Sequence, residues 1–344
     1  MNNYIQESTS VIINNLPIIE TLLASFATIV LEGKVNKAFR LRKEYNNRNL
    51  LIFEMPEIIK EKVREINNNN ITEKHRKELL RFERIFKYNF GDECLDIFYK
   101  NINSLKIYVN NENTKRLLIA NRPSGSYSYK NEITLNSKSS NATLYHELLH
   151  LSSTLVEDDI IYTGFNQQSY KYGDYGRGLN EGYTEHLNKT YFCKYSVSAP
   201  YYEYLRDMAH VLEVILDNDF MQKCYFKADM LSVCNRLSFL VGEEDTLKLI
   251  KSLDYIYYFF KRKDHFLQED LVLDAFREVN RILIKAFMER LKKYNYNEEE
   301  ENIKIKGLLE YLKENFYSGD KTYYIHDTVD LKEIVEKYRE NKHI

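Results

Sequence analysis

The sequence predicts an α+β fold that is predominantly α-helical. Apolar residues recur at helical spacing along most of the 344 residues, and only four prolines and 11 glycines interrupt the chain. Runs with β-strand character are confined to one short stretch. A chain of this length is expected to form more than one packed lobe. We predict a helical region over residues 1–100, a mixed core over 101–200 and a helical lobe over 201–344.

The first region is predicted to contain helices over Pro17–Tyr45, Pro56–Ile66 and Thr72–Tyr88, the last capped by Thr72. Polar residues interrupt the apolar stretch Val11–Leu31, and no Lys or Arg precedes it. The stretch therefore fits neither a signal peptide nor a membrane span, and its spacing favours an amphipathic helix. The lack of a signal peptide predicts a cytoplasmic protein, although export without a signal peptide would leave the same sequence.

The core and the C-terminal lobe differ in the spacing of their apolar residues. Strand-like runs at Lys106–Val109, Leu117–Ala120 and Ile133–Leu135 predict a small sheet, the only one expected. Helical periodicity returns at Asn141–Val156, and a loop rich in Gly and Tyr is predicted over Thr163–Gly178. The C-terminal lobe is predicted to contain three amphipathic helical stretches: Leu267–Tyr294, Glu298–Phe316 and Leu331–Tyr338.

The composition excludes several classes of protein. Lys and Arg number 49 against 51 Asp and Glu, so the net charge is −2 and no basic excess is available to neutralise phosphates. Nucleic-acid binding is therefore not expected as the main function. The four cysteines contain no C-x-x-C pair. Neither a disulfide framework nor a cysteine zinc knuckle is predicted, and we expect reduced thiols.

The motif H-E-L-L-H at residues 146–150 lies within the predicted Asn141–Val156 helix. Four residues advance a helix by about 400°, which places His146 and His150 one turn apart on the same face, as two ligands of one zinc ion require. Glu147 is offset by about 100° and can reach a water molecule on the metal as a general base without being a ligand itself. A pair of structural histidines is the alternative interpretation.

A catalytic zinc site needs a third protein ligand, and the best candidate is Glu181 in the segment N-E-G-Y-T-E. H-E-x-x-H followed by N-E-G-x-T-E resembles the zinc signature of gluzincin metallopeptidases, and is similar to that of poorly characterised bacterial proteins. The resemblance implies a zincin-like core with one zinc ion per chain, held by His146, His150 and Glu181. It also implies that Glu147 activates water and that Glu185 orients a histidine ligand, a position where thermolysin-like enzymes usually have Asp. An ordinary solvated helix face is the alternative for Glu181 and Glu185.

Several further residues are candidates for substrate binding, packing or oxyanion stabilisation. Glu132–Asn136 lies where zincins place the edge strand that pairs with an extended peptide, and a plain hairpin strand is the alternative. His186 and His210 are interpreted as core or surface histidines. Four residues of the predicted loop are candidates to stabilise an oxyanion, or are ordinary loop residues: Tyr170, Tyr172, Tyr175 and Arg177.

Two functions are compatible with these motifs. The first is a zinc-dependent metallopeptidase, most simply an endopeptidase, that hydrolyses a peptide or protein substrate with Glu147 as the base. The alternative is a catalytically inactive zincin-like protein that binds or regulates a partner. The intact Glu147 favours the enzyme, because a structural zinc site closes with a fourth ligand and needs no base.

Overall fold

Helices dominate the structure, and small sheets accompany them, which confirms the predicted α+β class. The computed structural model describes residues 71–110, 125–169, 173–193, 200–261, 269–292, 298–311, 315–318 and 321–324. Several predicted elements lie outside these residues: the helices Pro17–Tyr45, Pro56–Ile66 and Leu331–Tyr338, and the run Leu117–Ala120. The predicted boundaries near residues 100 and 200 remain predictions.

The first described helix, α1, spans Glu73–Phe90. Thr72 caps it, because its hydroxyl oxygen accepts a hydrogen bond from the backbone N–H of His75 at 3.4 Å. The predicted helix and its capping residue are therefore confirmed. A 3₁₀ turn at Asp92–Cys94 then leads into α2, Asp96–Ile102.

Three strands form the first sheet: β1 (Lys106–Asn110), β2 (Gly125–Ser128) and β3 (Glu132–Asn136). β3 is the central strand, with β1 parallel on one side and β2 antiparallel on the other. The prediction that Glu132–Asn136 is an edge strand is therefore wrong, and the alternative of a hairpin strand is confirmed by its antiparallel pairing with β2. Within the described part of the chain, β2 lies at an edge of this sheet. The alternating burial of Ile133 and Leu135 shows one apolar face of β3. Such alternation does not reveal which strands pair with its two sides.

The motif helix, α3, spans Asn141–Leu151 and is capped by the hydroxyl of Ser140. The prediction that it continues to Val156 is wrong. Hydroxyl groups after the helix compete with its continuation, because they donate to carbonyl oxygens of the last turn. These hydroxyls belong to Ser152, Ser153 and Thr154.

A second sheet follows α3 directly, so the prediction of a single sheet is also wrong. It is an antiparallel meander of four strands: β4 (Thr154–Glu157), β5 (Ile160–Thr163), β6 (Asn166–Ser169) and β7 (Gly173–Tyr175). The loop predicted over Thr163–Gly178 is therefore wrong, because β6 and β7 lie within it. These strands are short and β6 is polar, so the segment lacks the apolar alternation that marks a half-buried strand. The local signal is the Asp158-Asp159 turn, where both residues have positive φ, as tight hairpins require.

The rest of the described chain is mainly helical. α4, Arg177–Leu187, carries the N-E-G-Y-T-E segment. It continues into a π-helical turn, Asn188–Phe192. The following elements are α5 (Pro200–Leu216), α6 (Asn218–Phe226), α7 (Met230–Val241), α8 (Glu243–Lys261), α9 (Glu269–Lys292), α10 (Glu298–Tyr311), β8 (Asn315–Ser318) and β9 (Lys321–Tyr324). The helix predicted over Glu298–Phe316 therefore ends at Tyr311, and Phe316 lies in a strand.

Buried apolar side chains from α1 to α10 form one contiguous hydrophobic cluster. The four cysteines are unpaired, as the sequence predicts. Among the helices that the structure describes, none combines the length and the apolar character that a bilayer span needs.

Two neighbouring helices fix the position of α4. Gly182 allows α5 to approach closely, since a Cβ atom there would lie 2.4 Å from the carbonyl oxygen of Leu205. Asp254 on α8 supplies the cap that the residues before α4 do not. Its carboxylate accepts hydrogen bonds from the N–H groups of Gly176, at 2.8 Å, and Gly178, at 2.7 Å. A carboxylate at a helix N-terminus is favoured by the helix dipole as well.

We predict that Asp254→Ala lowers the free energy of unfolding by about 1–3 kcal/mol, because two buried N–H groups lose their acceptor. Urea denaturation followed by circular dichroism measures this change. Lys251→Ala, at an exposed position of the same helix, is the matched control. Equal stability of the two variants would show that the Asp254 cap does not hold α4.

Candidate metal centre

Helices α3 and α4 bring together the three side chains that the sequence predicts as metal ligands. The Nε2 atoms of His146 and His150 lie 3.2 Å apart. Oε2 of Glu181 lies 3.5 Å from Nε2 of His146 and 3.7 Å from Nε2 of His150. All three side chains are at most 12% exposed. Three potential ligand atoms therefore converge on one small volume that is largely shielded from solvent.

This triangle fits a divalent transition metal ion. Zinc bonds to imidazole nitrogen and carboxylate oxygen of about 2.0–2.2 Å place tetrahedral ligand atoms about 3.3–3.5 Å apart. The separations observed here, 3.2, 3.5 and 3.7 Å, are close to those values. Two imidazoles and one carboxylate are also the donor set of many catalytic zinc sites, which leave the fourth position open.

The outer nitrogen atoms of the two histidines have protein partners. Nδ1 of His146 lies 3.1 Å from Oε2 of Glu185, one helical turn after Glu181. Nδ1 of His150 lies 3.4 Å from the side-chain nitrogen of Asn180. The Glu185 carboxylate can accept a hydrogen bond from the Nδ1–H of His146, which holds this ring in place and raises its basicity as a ligand. Glu185 is itself near Lys189, whose Nζ lies 3.9 Å from Oε1.

Glu147 lies next to the triangle without being part of it. Its carboxylate lies beside Gly125 of β2, where a Cβ atom would be 3.1 Å from Oε1. Burial raises the pKa of Glu147 to about 7, His146 opposes this rise, and the negative charge of Glu181 adds to it. A carboxylate with a pKa near neutrality is suited to accept and release a proton. A cation in the triangle would lower this pKa, because it favours the charged form.

The pKa of Glu181 is shifted in the opposite direction from that of Glu147. Burial raises its pKa, but the two histidines and Arg177 together hold the pKa well below its usual range. Nε of Arg177 lies 3.2 Å from Oε1 of Glu181, and the hydroxyl of Tyr202 donates to Oε2 at 3.2 Å. Glu181 is therefore an anionic potential ligand whose orientation is fixed by Arg177 from α4 and Tyr202 from α5.

The triangle opens into a cavity of about 180 Å³. β2 and the residue after it, Tyr129, line one side, and the second sheet contributes Ile161, Thr163 and Gln168. Three further side chains line the cavity beside the triangle: Arg177, Tyr202 and Lys261. The cavity therefore combines a cluster of metal-ligand type, a buried carboxylate and two cationic groups.

Of the predicted oxyanion-stabilising candidates, only Arg177 lines this cavity among the described residues. Tyr175 packs against the hydrophobic core, and Tyr170 and Tyr172 lie outside the described residues. Tyr202 and Lys261 also line the cavity but were not predicted from the sequence. They lie on α5 and α8, outside the segment that carries the two motifs. No local motif marks either residue.

The sequence matches no family model. Comparisons with curated proteins and with solved structures also give no match.

We predict that Glu185→Gln weakens metal binding at this triangle by about 10–100-fold, because His146 loses the anion at its outer nitrogen. Titration of metal-free protein with Zn²⁺ against a competing chelator measures the affinity. Glu203→Gln is the matched control, since Glu203 also pairs with Lys189, at 3.3 Å, but is about half exposed. If both variants bind Zn²⁺ as tightly as the wild type, Glu185 does not support the site.

Proposed function

We propose that this protein is a zinc-dependent metallopeptidase with a zincin-like core. The observation that carries the proposal is the convergence of His146, His150 and Glu181 beside the buried carboxylate of Glu147. A metal site that only stabilises a fold does not need a neighbouring base. The gluzincin-like order of the two motifs along the chain supports the same conclusion.

In this proposal His146, His150 and Glu181 hold the metal. The chemistry that a bound Zn²⁺ supplies is Lewis acidity, which polarises a carbonyl group and lowers the pKa of water to about 7. Glu185 holds the imidazole ring of His146, and Arg177 and Tyr202 hold the carboxylate of Glu181. The protein thus keeps the ligands in place before a substrate binds.

Glu147 moves the proton during hydrolysis. Its carboxylate accepts a proton from the attacking water, whose oxygen forms a bond to the scissile carbonyl carbon. The protonated carboxyl then donates this proton to the leaving nitrogen as the C–N bond breaks. One water molecule is consumed, and the products are a carboxylate and an ammonium group, which together carry both protons of that water.

Tyr202, Arg177 and Lys261 are the candidates to stabilise the negative charge that develops on the carbonyl oxygen. All three line the same cavity as the ligand triangle and Glu147. Arg177 and Tyr202 also contact Glu181, so their positions are coupled to that ligand. The hydroxyl of Tyr202 is the best placed of the three, because it lies 3.2 Å from the ligand oxygen of Glu181.

The edge strand β2 is the proposed site for the substrate backbone. Among the described residues β2 pairs only with β3, and its residues line the cavity. An extended peptide can add to such an edge by main-chain hydrogen bonds. The lack of a side chain at Gly125 keeps this strand close to Glu147.

We predict that His146→Ala, His150→Ala and Glu181→Ala each bind one equivalent of zinc less than the wild type, because two ligands do not retain the ion. Metal analysis after dialysis measures the stoichiometry. His75→Ala, at the start of α1, is the control and should keep the wild-type content. Full zinc content in Glu181→Ala, with loss in a different carboxylate variant, would contradict the ligand assignment.

We predict that Glu147→Gln retains zinc and melts like the wild type, but cleaves a peptide library about 10²–10⁴-fold more slowly. The substitution keeps the shape of the side chain and removes the proton acceptor. Mass spectrometry of the library, with both proteins at equal zinc content, measures cleavage. Glu203→Gln, with the same chemical change at an exposed position, should cleave like the wild type.

The outcomes of this experiment separate the enzyme from its alternative. Equal cleavage by wild type and Glu147→Gln would contradict the role of Glu147. Cleavage by neither protein, with zinc bound, would favour a zincin-like protein that binds or regulates a partner.

A further inference from the structure

A second cluster of metal-ligand type lies where α4 packs against α5. It consists of His186 from α4 and of His210 and Glu213 from α5. Nε2 of His186 lies 2.8 Å from Oε2 of Glu213, and Nδ1 of His210 lies 3.6 Å from the same oxygen. The sequence pattern favours ordinary core or surface positions for both histidines, and in the structure His186 is buried and His210 is part-exposed. The structure also brings their ring nitrogens to one carboxylate oxygen.

The geometry of this cluster suits a metal ion. The potential ligand atoms of the three residues all lie within 4.8 Å of one another. The 3.6 Å between His210 and Glu213 is close to the distance of about 3.3–3.5 Å between the ligand atoms of a tetrahedral zinc site. The 2.8 Å between His186 and Glu213 is a hydrogen-bond distance, so this pair has to separate slightly when an ion binds. The two imidazole rings stack with their centroids 4.8 Å apart, so their nitrogens reach the carboxylate from neighbouring positions.

The carboxylate is held in place by a group outside the cluster. The hydroxyl of Tyr183 donates to Oε1 of Glu213 at 2.6 Å, which leaves Oε2 facing the histidines. An outer hydrogen bond of this kind is typical of carboxylates that ligate metals.

Burial and access are both compatible with binding. His186 and Glu213 are buried, whereas the side chain of His210 is 43% exposed. An ion can therefore enter from the side of His210, and a water molecule can complete its coordination. Two imidazoles with one carboxylate favour Zn²⁺ and its transition-metal neighbours over Mg²⁺ and Ca²⁺, which prefer oxygen ligands.

We infer that His186, His210 and Glu213 form a second binding site for a transition metal ion such as Zn²⁺. The ion links α4 to α5, the helices that carry Glu181 and Tyr202 of the first site. This site does not depend on the proposed peptidase activity. It uses none of the residues of the first triangle.

The test is a stoichiometric titration of metal-free protein with Zn²⁺, followed by metal analysis. The wild type and the control His75→Ala should bind two ions per chain. His210→Ala and His146→Ala should each bind one, and the double variant should bind none. His210 is the residue of choice because it is part-exposed, so its removal leaves the buried network of Tyr183, His186 and Glu213 intact. Glu213→Gln, which keeps the side-chain shape, should give the same loss as His210→Ala.

Thermal melting provides a second measurement on the same proteins. Zn²⁺ should raise the melting temperature of His146→Ala, because an ion that binds only the folded state stabilises it. It should not raise that of the double variant.

Two results would overturn the inference. One is a His210→Ala protein that binds as much zinc as the wild type. The other is a His146→Ala protein that binds none. In either case the cluster is a hydrogen-bonded network without a metal. A wild type that binds one ion, lost in His210→Ala and retained in His146→Ala, would support the second site and overturn the first. The two proposals can therefore fail separately.

Discussion

The arrangement of the site depends on the balance of charge among side chains removed from solvent. Glu147, Glu181 and Glu185 are all less than 10% exposed and lie around the same two helices. An uncompensated buried carboxylate costs on the order of several kcal/mol. Arg177 and Lys189 compensate part of this charge, through Glu181 and Glu185. A divalent cation between the histidines and Glu181 would compensate more, and it would then also stabilise the packing of α3 against α4.

The sequence predicts the parts of the site that are local. His146 and His150 are one helical turn apart, so their convergence follows from helix geometry, and Glu185 follows Glu181 by one turn in the same way. The distance between α3 and α4 is set by contacts between segments that are far apart in the chain. It depends on close packing at Gly182 and on the Asp254 cap from a helix about 75 residues further along the chain. The resemblance to gluzincins, rather than periodicity, indicated Glu181.

Most of the errors have a common physical cause, because they concern a contact between distant segments or a strand too short to show a pattern. The end of α3 is the exception, since it follows from the hydroxyls of Ser152, Ser153 and Thr154. β3 has apolar alternation, but only its pairing with β1 and β2 makes it central. β6 is a polar strand held by its neighbours in the meander. Tyr202 and the cluster of His186, His210 and Glu213 arise from the packing of α4 on α5. The predominance of helices, by contrast, was predictable, because the apolar spacing that marks a helix recurs along most of the chain.

The position of a bound ion is the decisive measurement for the metal site. Crystals grown with Zn²⁺ and measured on both sides of the zinc absorption edge would show each ion as a peak in the anomalous difference map. We expect a peak about 2.0–2.2 Å from Nε2 of His146, from Nε2 of His150 and from an oxygen of Glu181, with Glu147 beyond bonding distance. A zinc-loaded crystal with no peak at this position, or with Glu147 as a direct ligand, would contradict this ligand assignment.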